Sequence, residues 1–295
     1  MQKKGLTASF IIEAESANYS EGIGNITILK KMGRNDKKQY SYISRQAIRY
    51  NLMKIAGWDN TPIISSGSGT KKVVQFAPEA TIMDYPEIDL FGYLKTTAKT
   101  EEAKGGSNKR AAVVRLSNAI ALEPFNGDLD YMTNMGLSVR DKDTQNSIAQ
   151  SEIHKSFYTY TITIDLDKVG IDGDIEIENI EKANRVKQFL DQVEFLYRDI
   201  KGRRENMSPV FAIGGIYERK NPYFENRLKF SYKNNLAIEC LGEILEDDDV
   251  KKNTSIGCLS DILANENDIK TKLPNVGTIN KFFINLKAEV DNYYE

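Results

Sequence analysis

Histidine, tryptophan and cysteine are scarce in this 295-residue sequence, which has one, one and two of them, respectively. Cys240 and Cys258 do not have the spacing of metal ligands, and a single histidine cannot complete a zinc site. No local pattern pairs a cysteine with His154 for nucleophilic catalysis. We therefore expect two core thiols and a histidine that is exposed or hydrogen-bonded in a structural role. This inventory predicts no cofactor, and it indicates a reducing cytoplasm without structural disulfides.

Long hydrophobic runs are also lacking. Runs such as AIAL at 119–122 are far too short to span a bilayer. The N-terminal MQKKGLTASFIIEAES has only a brief apolar stretch that ends in acidic residues, which indicates a first strand rather than a signal peptide. A hydrophobic content of 40% and a charged content of 28% are those of an ordinary soluble protein. We expect no membrane partner.

The net charge of −2 is unevenly distributed along the chain. Residues 25–115 contain 16 lysines and arginines and 8 aspartates and glutamates, a local balance of +8, so the remaining residues sum to −10. A basic portion set against an acidic remainder suggests an anionic partner for one face of the protein. A solvated charged surface would account for the same distribution equally well.

Residue periodicity divides the chain into regular elements and polar insertions. The composition of 57–110 and 126–155, which is polar with scattered glycine and serine, predicts insertions with projecting loops or hairpins. The remaining order of elements predicts an α+β fold, a ferredoxin-like sheet related to the RRM and made of two βαβ-type halves. Such a sheet commonly presents one face to RNA. The predicted strands are 5–14, 157–166 and 209–217, and the predicted helices are 44–56, 181–202 and 277–292.

The segment SYISRQAIRYNL places two arginines four residues apart on one predicted helix. Ile48, Leu52 and Ile55 form a narrow apolar stripe, and Arg45 and Arg49 lie on its flank rather than opposite to it. Arginines on a helix are usually solvated. Two of them at the edge of a buried face can instead form a phosphate clamp.

Further basic residues cluster at the ends of the predicted core elements. If the sheet is arranged as predicted, the clusters would line one groove that follows a nucleic-acid backbone, with an affinity that falls steeply as salt rises. Phosphate contacts of this kind position a strand without reading its bases. The clusters are Lys30, Lys31, Arg34, Lys37 and Lys38; Lys109, Arg110 and Arg115; and Arg203 and Arg204.

Two other patterns have weaker functional interpretations. GSGTKK at 67–72 lacks the Gly-Lys-Ser/Thr ending of a phosphate-binding loop and does not lead from a strand into a helix, so we interpret it as a flexible basic tip. Asp141 and Asp143 could bind a metal ion, as in a nuclease. Two close carboxylates in a polar loop more commonly face water.

Several segments occur in an order that resembles a known family. The opening GLTASFIIEAESANYSEGIGN is followed by YSYISRQAIRYNL, DLFGYL, VVRLSNAIALEPF with NGDLDYMTNMG, and HKSFYTYTITIDLDKVG. Over roughly residues 1–220 this series resembles the DevR family of CRISPR-associated proteins. That family is the family-seven Cas backbone subunit of type I surveillance complexes (Cascade), and the series is most like its type I-B branch. The C-terminal quarter has no motif of the family.

The resemblance implies an RRM-like palm (1–56, 111–123 and 156–295), a fingers insertion (57–110) and a protruding thumb (124–155). It also implies that several copies stack as a helical filament along a CRISPR RNA, with each thumb displacing one base. The implied RNA-binding residues are Ser44, Arg45, Gln46 and Arg49, with Asn25 and Lys30 on the neighbouring hairpin and Lys109, Arg110, Arg115, Arg203 and Arg204 from the basic clusters. The implied apolar wedge of the thumb is Phe125, Met132, Met135 and Leu137.

The resemblance further implies a subunit without catalytic residues. Its expected partners are CRISPR RNA, target DNA through guide pairing, further copies of itself, and other Cascade subunits (Cas families five, six and eight and the small subunit). Type III relatives cut target RNA with an aspartate in a backbone-subunit loop. The alternative is therefore a metal-dependent ribonuclease that uses Asp141 or Asp143. A third hypothesis is a scaffold whose basic stretch contacts acidic proteins.

Overall fold

The computed structural model describes residues 2–15, 18–20, 22, 24–66, 72–97, 106–140 and 147–295. Its helices are α1 (Arg45–Ala56), α2 (Pro86–Phe91), α3 (Met135–Ser138), α4 (Asn179–Glu194), α5 (Glu239–Ile244), α6 (Asp248–Asn253), α7 (Glu266–Lys272) and α8 (Ile279–Tyr294). Its strands are β1 (Gly5–Ala14), β2 (Ile26–Thr27), β3 (Lys31–Gly33), β4 (Gln39–Ile43), β5 (Ile63–Ser66), β6 (Val73–Phe76), β7 (Tyr93–Thr97), β8 (Gly106–Arg110), β9 (Val114–Leu116), β10 (Ala119–Ala121), β11 (Asp128–Thr133), β12 (Ile148–Ile153), β13 (Ser156–Asp165), β14 (Ile171–Asp172), β15 (Ile175–Glu176), β16 (Tyr197–Ile200), β17 (Arg203–Asn206), β18 (Pro209–Tyr217), β19 (Thr254–Cys258) and β20 (Val276–Gly277).

A central sheet has the strand order β20-β19-β18-β1-β13-β10-β4-β3, with β9 also paired to β13. Its inner strands β18, β1, β13 and β10 are antiparallel neighbours. In chain order they are the fourth, first, third and second strands of a βαββαβ unit whose helices are α1 and α4. This is the ferredoxin-like, RRM-like arrangement, so the predicted fold class is confirmed.

The two faces of the sheet differ because side chains alternate along each strand. On β1, Leu6, Ala8 and Phe10 point into the main core, which they share with apolar residues of α1, α4 and α8. The ring of Phe10 stacks on that of Phe283 from α8, with 5.9 Å between the ring centroids. Thr7, on the other face of β1, does not belong to this core. The helices therefore cover one face and leave the other to a different part of the chain.

A second core covers part of that other face. It joins Ile11 of β1 and Phe211 of β18 to Phe224, Leu241 and other apolar residues of the C-terminal segment 218–276. The paired glycines of β18 allow close approach here. A Cβ on Gly215 would lie 1.8 Å from the carbonyl oxygen of Asn253, so only glycine fits. The C-terminal segment thus packs on the sheet at β18 and β19 and leaves the middle of β1 and β13 uncovered.

The polar insertions are built mainly from hairpins. Between α1 and β9 the chain forms the β5–β6 hairpin, α2 and the β7–β8 hairpin. Between β10 and β13 it forms the antiparallel pair β11–β12, and β12 also pairs in parallel with β2. Exposed apolar side chains occur on both insertions, including Ile63, Val74 and Leu94 on the first and Leu129 and Tyr131 on the second. Among the described residues, the first insertion has a small core of its own around Ala80, Ile82 and Ile88, and the second has none.

The predicted helix 181–202 is corrected by the structure. The helix α4 ends at Glu194, and a hairpin of β16 and β17 follows. Lys201 and Gly202 both have positive φ, 50° and 76°, as a two-residue hairpin turn requires. Gly202, which the sequence predicts as the end of a helix, therefore forms the hairpin turn together with Lys201. Apolar residues at Leu196 and Ile200 continue the helical spacing by coincidence.

His154 and the two cysteines occupy structural positions. The Nδ1 atom of the buried His154 lies 2.7 Å from the hydroxyl oxygen of Ser41. Burial lowers the pKa of the His154 imidazole. Cys240 is half-buried, and burial raises the pKa of the buried Cys258 thiol to about 11. In the described ranges no group of three or more His, Cys, Asp or Glu side chains could hold a metal ion. Over the same residues, no helix is long and apolar enough to cross a membrane.

Glu289 on α8 gives the stability of the fold a pH dependence. Burial raises the pKa of its carboxyl to about 7, although a backbone hydrogen bond with Ile216 acts in the opposite direction. Between the ordinary pKa of a glutamate, 4.5, and about pH 7, the folded chain therefore keeps a proton on Glu289 that the unfolded chain releases. The contribution of Glu289 to stability thus falls as pH rises through this window. We expect Glu289→Gln, which cannot ionise, to gain stability relative to the wild type as pH rises from about 5 to about 8. Urea unfolding at several pH values measures the difference, and a constant offset across the series would contradict the assignment.

Candidate nucleic-acid interface

A groove of about 820 Å³ crosses the sheet face opposite the main core. Its floor is formed by β1 and β13, where Thr7, Thr159, Thr161 and Thr163 line it. On one side lies the chain around β9, β10 and the start of α1, and on the other lies the segment that follows β18. The two sides face each other across the floor because β10 neighbours β13 and β18 neighbours β1.

The first side, which we call the helix bank, consists of Arg34, Arg45, Arg115 and Asn118. Arg45 begins α1, and its backbone N–H donates to the Asn118 side-chain oxygen at 2.9 Å. The Arg45 side chain is exposed, and no described residue forms an ion pair or hydrogen bond with its guanidinium. The positive end of the α1 dipole adds to its charge. The helix bank thus presents a free guanidinium to the groove.

Ser44 fixes where α1 begins. Its hydroxyl oxygen accepts a hydrogen bond from the Ala47 N–H at 3.3 Å and donates to the Asn18 side-chain oxygen at 2.6 Å. Gly57, in the left-handed conformation with φ 67°, ends the helix. The predicted helix 44–56 is therefore confirmed. The buried Ser44 hydroxyl serves as its cap and holds Arg45 at the edge of the groove.

The second side, which we call the wall bank, consists of Lys220, Asn221, Asn226 and Lys229. It passes so close to β1 that a Cβ on Gly5 would lie 2.9 Å from the Cγ of Lys220. Lys229 is exposed, and within the described part of the chain its ammonium has no ion-pair partner. The wall bank is absent from the sequence-based predictions because its residues form no motif. The signal that could identify it is its position directly after β18 on the RRM-like sheet.

Asp165 sits at one end of the groove among cations. Its carboxylate pairs with Arg115 at 3.1 Å, Lys168 at 3.3 Å and Lys220 at 3.5 Å. Burial alone would raise the pKa of Asp165, but the hydrogen bond from Arg115 and the nearby charges hold that pKa below its usual range. The lining keeps an excess of positive charge, with five cationic side chains against two carboxylates. Such a groove favours an anionic ligand.

Arg49 does not join Arg45 in the groove. Its guanidinium pairs with the Glu87 carboxylate of α2 at 3.1 Å and lies over the Phe91 ring, 4.7 Å from the ring centroid. Arg49 therefore braces α1 against the first insertion. The structure separates the two arginines of the predicted phosphate clamp, because one helical turn along α1 changes the neighbours that each side chain meets.

Three other predicted residues lie outside the lining of the groove. Gln46 is exposed on the first turn of α1. Asn25 is exposed beside β2, and its carbonyl oxygen accepts from the Gln150 N–H at 3.1 Å. Lys30 is half-buried, and its carbonyl oxygen accepts from the Tyr42 N–H at 3.0 Å. Asn25 and Lys30 thus lie where the second insertion joins the edge of the sheet.

Arg110 has a structural position, whereas its neighbour Lys109 is exposed on β8. Only 7% of the Arg110 side chain is exposed, and its guanidinium donates to the Asp89 carboxylate at 2.6 Å. It also donates to the carbonyl oxygens of Asp89 at 3.0 Å and Lys168 at 2.9 Å. Arg110 therefore ties the first insertion to the central sheet and is not available to a ligand.

Arg203 and Arg204 lie on the β16–β17 hairpin, away from the groove. Arg203 pairs with Glu15 at 3.0 Å and Arg204 with Asp199 at 2.9 Å. The hydrogen bond from Arg204 and the charge of Lys54 lower the pKa of Asp199, which places the hairpin beside the C-terminal end of α1. The groove adjoins the other end, roughly 14 Å away at 1.5 Å per residue. The prediction that three basic clusters line one groove is therefore wrong, since only Arg34 and Arg115 of those clusters do so.

The predicted thumb wedge is only partly exposed in the structure. Met132 on β11 and Met135 on α3 are exposed. Phe125 is half-buried at the base of the insertion, where its ring lies under the ammonium of Lys31, 4.3 Å from the ring centroid, and meets the His154 ring edge-on. It packs against the main core, so it is not a tip residue.

Some predicted positions lie outside the described residues. They are the side chain of Leu137, the aspartates Asp141 and Asp143, and most of the GSGTKK segment. The predicted wedge leaves out Leu129, Tyr131 and Val139, which are exposed apolar residues of the same insertion. Their alternation with polar residues along β11 is the signal that could have identified Leu129 and Tyr131.

Comparisons with known proteins agree with this architecture. A family model described as "CRISPR-associated negative auto-regulator DevR/Csa2" matches residues 6–230. A curated relative from Myxococcus xanthus (strain DK1622), "CRISPR-associated protein Cas7/Cst2/DevR", is 26% identical over 170 residues. That alignment covers 53% of this chain and 56% of the relative, so the match spans little more than half of the relative's length.

Solved structures share the fold of the chain. One, a chain of a "CRISPR RNA-guided surveillance complex, pre-nicking", aligns over 98% of this chain and 99% of its own length, with a TM-score of 0.59 and 12% identity. Another, from a "CRISPR RNA-guided surveillance complex", aligns over 99% and 98%, with a TM-score of 0.57 and 11% identity. At these identities the likeness establishes the fold.

Proposed function

The chain belongs to the DevR/Csa2 family of CRISPR-associated proteins, and from this premise we propose that it is a CRISPR RNA-binding backbone subunit of a surveillance complex (Cascade), of the type I-B branch. The observation that carries the proposal is the groove on the RRM-like sheet, which has an excess of positive charge. Arg45 and Lys229 lie on its two banks, and neither has an ion-pair partner in the part of the chain that the structure describes. A single RNA strand is an anionic ligand that such a groove can follow along its backbone.

In this proposal the palm, fingers and thumb are the segments 1–56 with 111–123 and 156–295, 57–110, and 124–155. Exposed apolar residues on the fingers and thumb hairpins support contacts with further copies of the chain and with other Cascade subunits. The copies polymerise along the guide RNA and leave its bases free to pair with target DNA. Met132 and Met135 remain candidates for the wedge that displaces a base.

The proposed subunit has no catalytic role. The alternative, a metal-dependent ribonuclease, needs Asp141 or Asp143, which lie outside the described residues. Incubating the assembled complex with complementary RNA and Mg²⁺ separates the two functions. The proposed function predicts that this RNA stays intact, and cleavage that is lost on changing both aspartates to alanine would support the ribonuclease.

The direct test is to coexpress the chain with a CRISPR array transcript and sequence the RNA that copurifies. We expect RNA that carries guide sequences and is protected from added nuclease, because the groove encloses its backbone. Recovery of nucleic-acid-free protein, or of bulk cellular RNA without guide enrichment, would contradict the proposal. The free protein would instead favour the third hypothesis, a scaffold for acidic proteins.

A further inference from the structure

The floor of the groove is lined by hydroxyl groups rather than aromatic rings. The residues that supply them are Thr7, Ser117, Thr159, Thr161 and Thr163, which we call the hydroxyl floor. An RRM usually stacks bases on aromatic side chains of its exposed sheet face. Here the tyrosines of β13 alternate with the threonines and point into the main core instead. This floor cannot stack bases, but it can form hydrogen bonds with the sugar-phosphate backbone.

Three of these hydroxyls already have partners inside the protein. Thr7 donates to the carbonyl oxygen of Ile162 at 3.3 Å. The Thr161 hydroxyl lies 2.6 Å from that of Ser9. Ser117 donates to the carbonyl oxygen of its neighbour at 3.2 Å and also accepts from a backbone N–H at 2.9 Å. These three hydroxyls hold the floor together rather than face a ligand.

The hydroxyls of Thr159 and Thr163 differ, because no described residue forms a hydrogen bond with either of them. Both residues are half-buried and line the groove. The two threonines are four positions apart on one strand, so they lie on the same face and about 13 Å from each other. Each offers one donor and two acceptor lone pairs between banks that carry the free cations.

We propose that the hydroxyls of Thr159 and Thr163 select RNA over DNA by hydrogen bonding to ribose 2′-hydroxyls of the strand in the groove. The 2′-hydroxyl is both a donor and an acceptor, and it is the group by which proteins distinguish RNA from DNA. Phosphates are held by Arg45 and Lys229 on the banks and are common to both nucleic acids. The inference rests on the proposed function and deepens it, since it assigns the choice of sugar to two residues.

The test compares a uridine-rich RNA with the same sequence of 2′-deoxyuridines, so that only the 2′-hydroxyl differs. Binding to the full chain, freed of nucleic acid, is measured by fluorescence anisotropy at constant salt. We expect Thr159→Val with Thr163→Val to lower RNA affinity on the order of thirtyfold, as for two lost hydrogen bonds. DNA affinity should change by less than about twofold, because phosphate contacts remain. Thr271→Val on α7 is the matched control, because it removes a hydroxyl that lies outside the groove and already donates to the Asn267 carbonyl oxygen at 2.8 Å, and it should leave the RNA-to-DNA ratio unchanged.

The outcomes separate this inference from the proposed function. Equal affinity of the wild type for RNA and DNA would overturn the inference and leave the proposed function intact. An equal loss of RNA and DNA affinity in the double variant would also overturn it, since the hydroxyls would then contact phosphates. Failure of the wild type to bind RNA at all would overturn both the inference and the proposed function. Retained DNA affinity shows that the double variant is folded. If the double variant does not fold, the single variants take its place, and each is expected to show about half of the loss of RNA affinity on a logarithmic scale.

Discussion

Replacing Arg45 and Lys229 together by alanine is expected to weaken RNA binding by about a hundredfold, and each single replacement by about tenfold. The two cations lie on opposite banks of the groove and have no ion-pair partner among the described residues, so neither is neutralised before the RNA arrives. Because they share no partner, their effects should add. The slope of log affinity against log salt should fall by about 0.7 for each lost phosphate contact with a single strand.

The matched control is the double variant Lys109→Ala with Arg204→Ala. It also removes two positive charges, but from exposed positions outside the groove, one on β8 and one on the β16–β17 hairpin. Titration of labelled single-stranded RNA at several salt concentrations measures both variants. We expect the control to retain most of its affinity. An equal loss in both double variants would show that RNA follows the general positive field of the protein rather than this groove.

The two arginines of α1 have different neighbours. The Arg49 guanidinium is already paired with Glu87 and lies over the Phe91 ring, so it holds α1 against α2 and is not free to contact a ligand. The sequence places Arg45 and Arg49 equally on the flank of one apolar stripe, and nothing local distinguishes them. Their difference arises from α2, which meets α1 only in the folded chain.

The predictable part of the fold is the part that local pattern determines. Alternation identifies the strand at 157–166, β-branched and aromatic content the strand at 5–14, and a buried apolar run with paired glycines the strand at 209–217. Ser44 and Gly57 mark the ends of α1. Their order in the chain then gives the RRM-like arrangement. The end of α4 was missed because apolar residues of the following hairpin continue the helical spacing.

The candidate site was predictable only in part because most of its geometry depends on residues far apart in sequence. Arg45 and Arg115 were identified from charge and motif, and both line the groove. Arg110 has the same charge and an equally suitable position in the chain, but its carboxylate partner is 21 residues away at Asp89. Lys229 has no motif, and it reaches the groove because the chain after β18 folds back over β1. The charge of a side chain identifies it as a candidate for binding RNA, whereas its ion-pair partners in the folded chain determine whether it is free to do so.

Asp89 is the centre of a buried ionic cluster that joins the first insertion to the rest of the chain. One carboxylate oxygen accepts from the Arg110 guanidinium at 2.6 Å and the Gly170 N–H at 2.9 Å, and the other accepts from Arg185 at 3.0 Å. The Asp89 side chain is fully buried, and 7% and 3% of the two arginine side chains are exposed. Arg185 also donates to the carbonyl oxygen of Ile82 at 2.6 Å, so several segments meet at this carboxylate.

Asp89→Ala is expected to destabilise the protein by about 3–5 kcal/mol, because it removes the fully buried carboxylate that two buried guanidinium groups share. The remaining carboxylates are more exposed, Glu181 at 2.9 Å from Arg185 and Asp172 at 3.9 Å from Arg110. The midpoint of urea unfolding should fall by about 1 M or more. Asp199→Ala is the control, since it removes a carboxylate that pairs with one arginine at the surface, and we expect an unchanged midpoint. If Asp89→Ala unfolds at the same urea concentration as the wild type, water must replace the carboxylate at no cost. The cluster would then not be what holds the insertion to the sheet.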